Sequence, residues 1–157
     1  MSLRPFFYWA DTTAISNVIR DSRFLFPIIE TIHLLALTVL LGTVIVLNLR
    51  LMGAGLRGQS IGAVSSATAP LRLWALMAML TTGLLLFLSE AMKCYENPPF
   101  FFKMGMLFLA IVFQWTAIRW LVNKGESANR VVSTLAAVLS LMLWFSVGVG
   151  GRAIGFY

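Results

Sequence analysis

Four apolar runs, each about twenty residues long, constrain the fold of this chain more than any other feature. They cover residues 26–49, 71–92, 100–122 and 131–150. As an α-helix, which rises about 1.5 Å per residue, each run crosses the ~30 Å hydrocarbon core of a bilayer. Barrel strands need only about ten residues, and backbone groups in lipid must be satisfied internally. The sequence therefore predicts an all-α integral membrane protein, an up-down four-helix bundle.

The charge content supports this interpretation. Charged residues make up 11% of the chain, whereas a soluble domain carries roughly 25%. The twelve Lys and Arg residues, which give a net charge of +6, are spread along the chain without a block or stripe. We therefore expect them to meet lipid headgroups and expect no nucleic-acid partner. The single cysteine, Cys94, excludes an internal disulfide and a CxxC site.

The segments outside the runs are polar or amphipathic. Residues 1–25 open with aromatic residues and then alternate polar and apolar residues, which predicts an interfacial amphipathic helix anchored by Tyr8 and Trp9. They contain no apolar signal-peptide core, so we expect the mature chain to keep its start. Residues 48–70, rich in Gly, Ser and Arg, predict a loop with at most a short interfacial turn. Residues 26–157 form the four-helix unit.

The distribution of charges bears on orientation. Four spans place both termini on one side of the membrane, and the basic residues divide six and six between the two sides. The positive-inside rule therefore gives a tie. Five of the six acidic residues fall on the terminal side, which leaves the other side far more positive. We expect both termini to lie outside the cytoplasm.

Ionisable residues inside the spans indicate a binding site. His33, the only histidine, lies about 9 Å below the start of the first span. Glu30 precedes it by three residues on the same helical face, close enough to accept a hydrogen bond from the imidazole. Lys103, Glu90 and Arg152 fall in the same leaflet. Charged groups are costly alone in hydrocarbon, so we expect these residues to face the bundle interior and surround a ligand.

Two ligands and one structural role are compatible with these residues. Neutral imidazole is a good axial ligand for haem iron, and Lys103 and Arg152 could contact haem propionates. The second axial ligand of the iron would be a lysine, a methionine or His33 of another subunit, or that position would stay open. Sulfur atoms near the same end would suit Cu(I), and they belong to Met92, Cys94, Met104 and Met106. Alternatively, the long side chains near span ends reach water and have no function.

Three stretches of the sequence resemble known membrane proteins: FPIIETIHLLALTVLLGTVIVLNLRLMG, TTGLLLFLSEAMKCYENPPFFFKMGML and GVGGRAIGF. Through them the chain resembles a family of uncharacterised bacterial inner-membrane proteins, known only as a domain of unknown function. It is more distantly similar to HemJ-type protoporphyrinogen IX oxidases and to CopD-like copper-resistance proteins. His33 and Lys103 match the histidine and lysine that the HemJ type ties to haem binding, and Arg50 matches an arginine after its first span. The resemblance implies an oligomeric, redox-active haem b protein.

These observations predict a haem b protein of the bacterial inner membrane, with both termini periplasmic and His33 as the metal ligand near the outer leaflet. It would transfer electrons between a quinone and a periplasmic partner, either alone or as a haem-dependent oxidoreductase. Lys103 would be a second ligand or a propionate partner, Glu30 would orient the imidazole, and Arg152 would anchor a propionate. The alternatives are a non-catalytic subunit or scaffold of a larger complex, and copper binding or transport.

Overall fold

The computed structural model describes residues 3–156, and these contain helices and no β-strand. In chain order the helices are α1 (Arg4–Asp11), α2 (Ala14–Asp21), α3 (Leu25–Leu51), α4 (Ile61–Ser89), α5 (Ala91–Tyr95), α6 (Pro98–Phe113), α7 (Arg119–Lys124) and α8 (Arg130–Ile154). A π-helical turn (Gln114–Ile118) joins α6 to α7, and a 3₁₀ turn (Gly125–Ser127) follows α7. Four segments are long and apolar enough to span a membrane: α3, α4, Pro98–Ser127 and α8. The prediction of an all-α membrane bundle is confirmed.

The bundle consists of two helix pairs. Helix α3 packs along α4, α6 packs along α8, and α3 also contacts α8. The central core lies where these three interfaces meet, around Leu40, Val44, Met79 and Trp144. No comparable contact joins α4 to α6. A groove therefore separates α4 from α6, whereas α7 and the 3₁₀ turn contact α4.

Polar side chains also fix how the helices pack. The side chain of Asn48 is fully buried in α3, and its Nδ2 donates to Ser140 Oγ of α8 at 3.1 Å. The same nitrogen contacts the carbonyl oxygen of Val44 at 2.9 Å. A buried amide donor that is left without a partner costs about 1–3 kcal/mol, so these bonds of Nδ2 favour one rotation of α3 against α8.

The N-terminal segment forms two amphipathic helices rather than one. They separate at Thr13, whose hydroxyl accepts from the backbone N–H of Ser16 and caps α2. Phe7 of α1 is buried, with its ring centroid 5.4 Å from that of Phe87 in α4. Tyr8 and Trp9 are exposed, as the prediction of interfacial anchors requires.

Helix α4 begins ten residues earlier than the predicted second span. Residues 61–70 were expected to lie in a loop and are helical, so that expectation is wrong. The hydroxyl of Ser60 caps the new start by accepting from Ala63 N at 3.1 Å. Ile61 and Val64 are buried against the core, which outweighs the weak helix preference of the small residues around them. The helix ends at Ser89, and the separate helix α5 occupies the predicted polar connection.

Candidate functional site

A cleft of about 530 Å³ opens between α4 and α6, in the half of the bundle where α3 and α6 begin. Helix α3 provides its floor and α1 closes one end through Phe6 and Phe7. The wall is largely apolar and aromatic, and the rings of Phe87 and Phe100 stack with centroids 5.6 Å apart. Among the described residues that line the cleft, the ionisable ones are His33 and Lys103. The structure thus brings together two of the predicted site residues, from different spans.

The imidazole of His33 is held against α4. His33 is buried, and its Nδ1 lies 3.0 Å from Thr82 Oγ1. The hydroxyl of Thr82 donates its single hydrogen to the carbonyl oxygen of Ala78 at 2.6 Å. Thr82 Oγ1 can therefore only accept from the imidazole, which places the proton on Nδ1. The lone pair of the neutral ring then lies on Nε2, as in metal-bound histidines whose other nitrogen donates to a protein group.

Gly83 gives the imidazole its place beside α4. A Cβ atom at position 83 would lie 3.1 Å from His33 Cε1 and 3.6 Å from Nδ1. Such a contact is closer than the ~3.5–4.0 Å at which carbon atoms pack best. The absence of a side chain at Gly83 therefore lets the ring lie against the backbone of α4, within reach of Thr82.

Lys103 reaches the cleft from the opposite wall. Its side chain runs along α8, where a Cβ atom at position 151 would lie 3.3 Å from Nζ. A Cβ atom at position 150 would lie 3.2 Å from Lys103 Cβ, so the two glycines permit α6 and α8 to approach closely. Within residues 3–156 the ammonium group forms no ion pair or hydrogen bond. Lys103 is therefore a cation available to a ligand.

Glu30 and Arg152 do not join this cleft. Glu30 is exposed, and Thr82 is the partner that orients the imidazole. The buried stripe of α3 follows His33, Ala36 and Leu40, and Glu30 lies beside the continuation of that stripe rather than on it. The guanidinium of Arg152 is exposed and lies over the ring of Phe156, 5.3 Å from its centroid.

The sulfur atoms considered for copper are also separated. Met104 lines the cleft, whereas Met106 packs against the central core. Met92 and Cys94 pack with Phe7 under α1. Across residues 3–156, no three His, Cys, Asp or Glu side chains gather as a metal site would require. Glu90 forms an ion pair with Lys93 instead of facing the cleft.

Sequence reasoning missed Thr82 and Gly83. The signal was present as adjacent polar and small residues, Thr81, Thr82 and Gly83, inside an otherwise apolar run. Such residues are common at helix contacts in membranes, where small side chains permit close approach and hydroxyls bond across helices. The spacing along α4 alone did not indicate which of them faces His33.

Comparison with known proteins places the chain in a family without assigning it an activity. The model of a "Family of unknown function (DUF6644)" matches residues 6–157, nearly the whole chain. No curated protein and no solved structure matches it. The predicted resemblance to an uncharacterised family is confirmed, and nothing in the comparisons links the chain to HemJ-type or CopD-like proteins.

Proposed function

The chain belongs to a family of unknown function, DUF6644, and we propose that it is a membrane protein that binds haem b in the cleft between α4 and α6. One observation carries the proposal. The hydrogen bond from His33 Nδ1 to Thr82 leaves Nε2 as the coordinating nitrogen of a buried imidazole at a ligand-sized cleft. A histidine that only packs helices would also form such a hydrogen bond, so the adjoining cleft is the feature that favours a ligand role.

The residues present fit a porphyrin in size and polarity. The cleft volume of about 530 Å³ falls within the ~300–1,000 Å³ that ligand pockets usually have. Flat aromatic side chains, among them Phe100 and Phe101, suit the faces of a planar macrocycle. Among residues 3–156, those that line the cleft include a histidine for the iron and a cation without an ion pair, Lys103, for a carboxylate. This combination of an apolar wall and two polar groups matches an amphiphilic cofactor.

Each polar residue has a distinct role in this proposal. His33 would hold the iron through Nε2, while Thr82 fixes the ring plane and the tautomer. Lys103 would either pair with a propionate or bind the iron as a second ligand, and His33 of another copy of the chain is the alternative second ligand. Haem b supplies one-electron redox chemistry when bound. Arg152, which lies outside the cleft, is not included in the site.

The position of the cleft suggests where electrons would enter. Its lining residues Leu84, Phe101 and Met104 are also exposed on the outside of the bundle, so the cleft opens sideways toward lipid. A lipid-soluble quinone can approach from that side. A periplasmic partner would approach from the end formed by α1 and α2. Electron transfer between the two, with or without catalysis of a further oxidation, is the proposed activity.

The proposed membrane is the bacterial inner membrane, with both chain termini on the periplasmic side. At the opposite end of the bundle, a cavity of about 310 Å³ is lined by Arg50, Arg57 and Arg130, with Glu126 as its acidic residue. Basic residues concentrate on the cytoplasmic face of membrane proteins. This arginine cluster supports the proposal that this end faces the cytoplasm and that the haem cleft lies in the outer leaflet.

Absorption spectroscopy tests the proposal. The protein, purified from cells that make haem, should show a Soret band and contain iron, and His33→Ala should remove both. Glu30→Gln is the matched control, because Glu30 lies on the same helix outside the cleft, and it should keep the band. Size-exclusion chromatography establishes that each variant remains folded. A folded, colourless wild-type protein without iron would overturn the proposal and favour a scaffold role, or copper binding if elemental analysis finds copper.

A further inference from the structure

A second cavity, of about 370 Å³, lies in the same groove toward the other end of the bundle. It is bounded by α4 on one side and by the π-helical turn and α7 on the other, with Leu47 of α3 beneath. Arg72 of α4 lies eleven residues before Gly83, or about 16 Å along the helix from the haem cleft. The cavity is therefore a separate site, and its polar lining differs from that of the cleft.

Two cations in this cavity lack a counter-ion. Arg72 lies inside a membrane-spanning helix and is half-buried, and its guanidinium donates to Thr68 Oγ1 at 3.4 Å. Arg119 lines the same cavity from α7. In the described part of the chain, neither guanidinium pairs with a carboxylate. An unpaired charge within a span is costly, and an anionic ligand would supply the missing charge for half-buried Arg72 and for Arg119, which is exposed.

Gln114 provides an independent indication of a ligand. Its side chain is only 6% exposed, it lines the cavity, and its Oε1 is buried without a hydrogen-bond partner. Buried polar atoms are almost always hydrogen-bonded, so an orphaned acceptor in the wall of a cavity is suited to a donor from a bound ligand. Gln114 also begins the π-helical turn. Such turns are frequent at functional sites.

We propose that this cavity binds the headgroup of an anionic phospholipid that carries free hydroxyl groups, with phosphatidylglycerol as the type. The phosphate would pair with Arg72 and Arg119, and a headgroup hydroxyl would donate to Gln114 Oε1. Soluble phosphate esters share this chemistry. A lipid is the occupant chosen because the cavity lies between two spans and exposes apolar side chains, Leu73 and Trp115, where an acyl chain would lie.

Matched lipid probes test the charge and the hydroxyl separately. Phosphatidylglycerol and phosphatidylmethanol carry the same charge, and the second lacks headgroup hydroxyls, while phosphatidylcholine is zwitterionic. Binding to the purified full chain is measured in detergent by native mass spectrometry. We expect the affinity order phosphatidylglycerol, phosphatidylmethanol, phosphatidylcholine, with the hydroxyl contributing about two- to tenfold.

Three variants assign the effect to the cavity. Arg72→Gln should weaken binding of both anionic lipids by about tenfold. Gln114→Leu should remove the preference for phosphatidylglycerol over phosphatidylmethanol and keep the preference for anionic lipids. Lys124→Gln is the control, because Lys124 lies over Trp120 outside the cavity and its loss changes the net charge equally. It should leave the affinities unchanged.

Three results would overturn the proposal. Equal binding of the three lipids by the wild-type protein would show that the cavity selects no headgroup. An equal loss in Arg72→Gln and Lys124→Gln would show that only the net charge matters. Glycerol 3-phosphate that displaced phosphatidylglycerol with equal affinity would identify a soluble ester as the ligand. Each variant is first checked by circular dichroism, so that unfolding is not mistaken for lost binding. The haem content of wild type and variants should stay equal, because the two sites are separate.

Discussion

The Nδ1 atom of His33 and the Oγ1 atom of Thr82 lie 3.0 Å apart, although the residues are 49 positions apart in the chain. Their hydrogen bond joins α3 to α4 inside the membrane and leaves Nε2 for coordination. A second short bond, from Thr82 to the carbonyl oxygen of Ala78, determines its direction. The proposed ligand role of His33 thus depends on the hydroxyl of Thr82, which already donates to Ala78.

Removing that hydroxyl should weaken haem binding without removing the histidine. In Thr82→Val the side chain keeps its size but Nδ1 loses its acceptor, so the tautomer and ring plane are no longer fixed. We expect haem affinity to fall by about 10- to 100-fold, as is typical when the group supporting a metal-bound histidine is lost. Haem titration followed at the Soret band measures this. Thr82→Ser, which keeps the hydroxyl, should retain most of the affinity, and an equal loss in both variants would contradict the assigned role.

A side chain at position 83 should displace the imidazole. The Cβ atom of Gly83→Ala would lie 3.1 Å from His33 Cε1, so the ring or the helix must move. We expect unfolding to become easier by about 1–3 kcal/mol, the usual cost of overpacking, and haem binding to weaken. Gly105→Ala is the control, because a Cβ atom there meets nothing within 4 Å. Unfolding in mixed micelles measures the stability of both variants, and haem titration measures their affinity. A Gly83→Ala variant with wild-type stability and affinity would contradict the tight contact.

Acid should release the N-terminal helices from the bundle. Burial alone would raise the pKa of Asp11, but hydrogen bonds from Arg20 and the Met92 amide, with the charge of Arg20, outweigh it and hold the pKa below its ordinary value. The ionised carboxylate therefore stabilises the folded state above pH ~4. That contribution disappears as the pH falls through the lowered pKa.

Hydrogen–deuterium exchange, corrected for the intrinsic effect of pH, measures this loss. At neutral pH, the backbone amides of α1 and α2 should exchange faster in Asp11→Asn than in wild type, whereas those of α8 should exchange at the same rate. Wild type should approach the exchange of that variant below pH ~4. Asp21→Asn, at an exposed carboxyl, is the control and should behave as wild type does at neutral pH. Identical exchange in Asp11→Asn and wild type at neutral pH would show that the carboxylate does not hold the segment.

The cysteine should react slowly with thiol reagents. Burial, followed by the charge of Glu90, raises the pKa of the Cys94 thiol to about 11. Since the thiolate is the reactive form, only ~0.01% of the thiol is reactive at pH 7, against ~1–3% for an ordinary cysteine. A water-soluble maleimide should therefore label Cys94 about 100-fold more slowly than Ser127→Cys in a Cys94→Ala background, where position 127 is exposed. Equal rates would contradict the burial of the thiol.

The spans and part of the site could be predicted because they depend on local or topological properties. The length of an apolar run determines whether it can cross a bilayer, whatever its neighbours are. His33 and Lys103 share a leaflet because alternate spans enter from the same side. The start of α4 was missed because the Ser60 cap and the burial of Ile61 outweigh a composition typical of loops.

The contacts of the site could not be predicted because they depend on helix rotation. A shift of one residue turns a side chain by about 100° around the helix axis. Glu30 therefore lies beside the buried stripe while His33 lies on it, although both belong to one apolar run. The choice between Thr81 and Thr82 as the hydrogen-bond partner depends in the same way on the rotation of α4. Tertiary packing sets these angles.

The groove between α4 and α6 determines how a bulky ligand would enter the cleft. Because α3 and α8 join the two helix pairs on the far side of the bundle, α4 and α6 can move apart while each pair stays packed. A flat amphiphilic molecule dissolved in the bilayer could then enter the cleft laterally, with its apolar part facing the lipid. It would not have to pass through water, and the helix ends would not have to unfold. The rate at which the ligand enters the cleft would then depend on membrane fluidity.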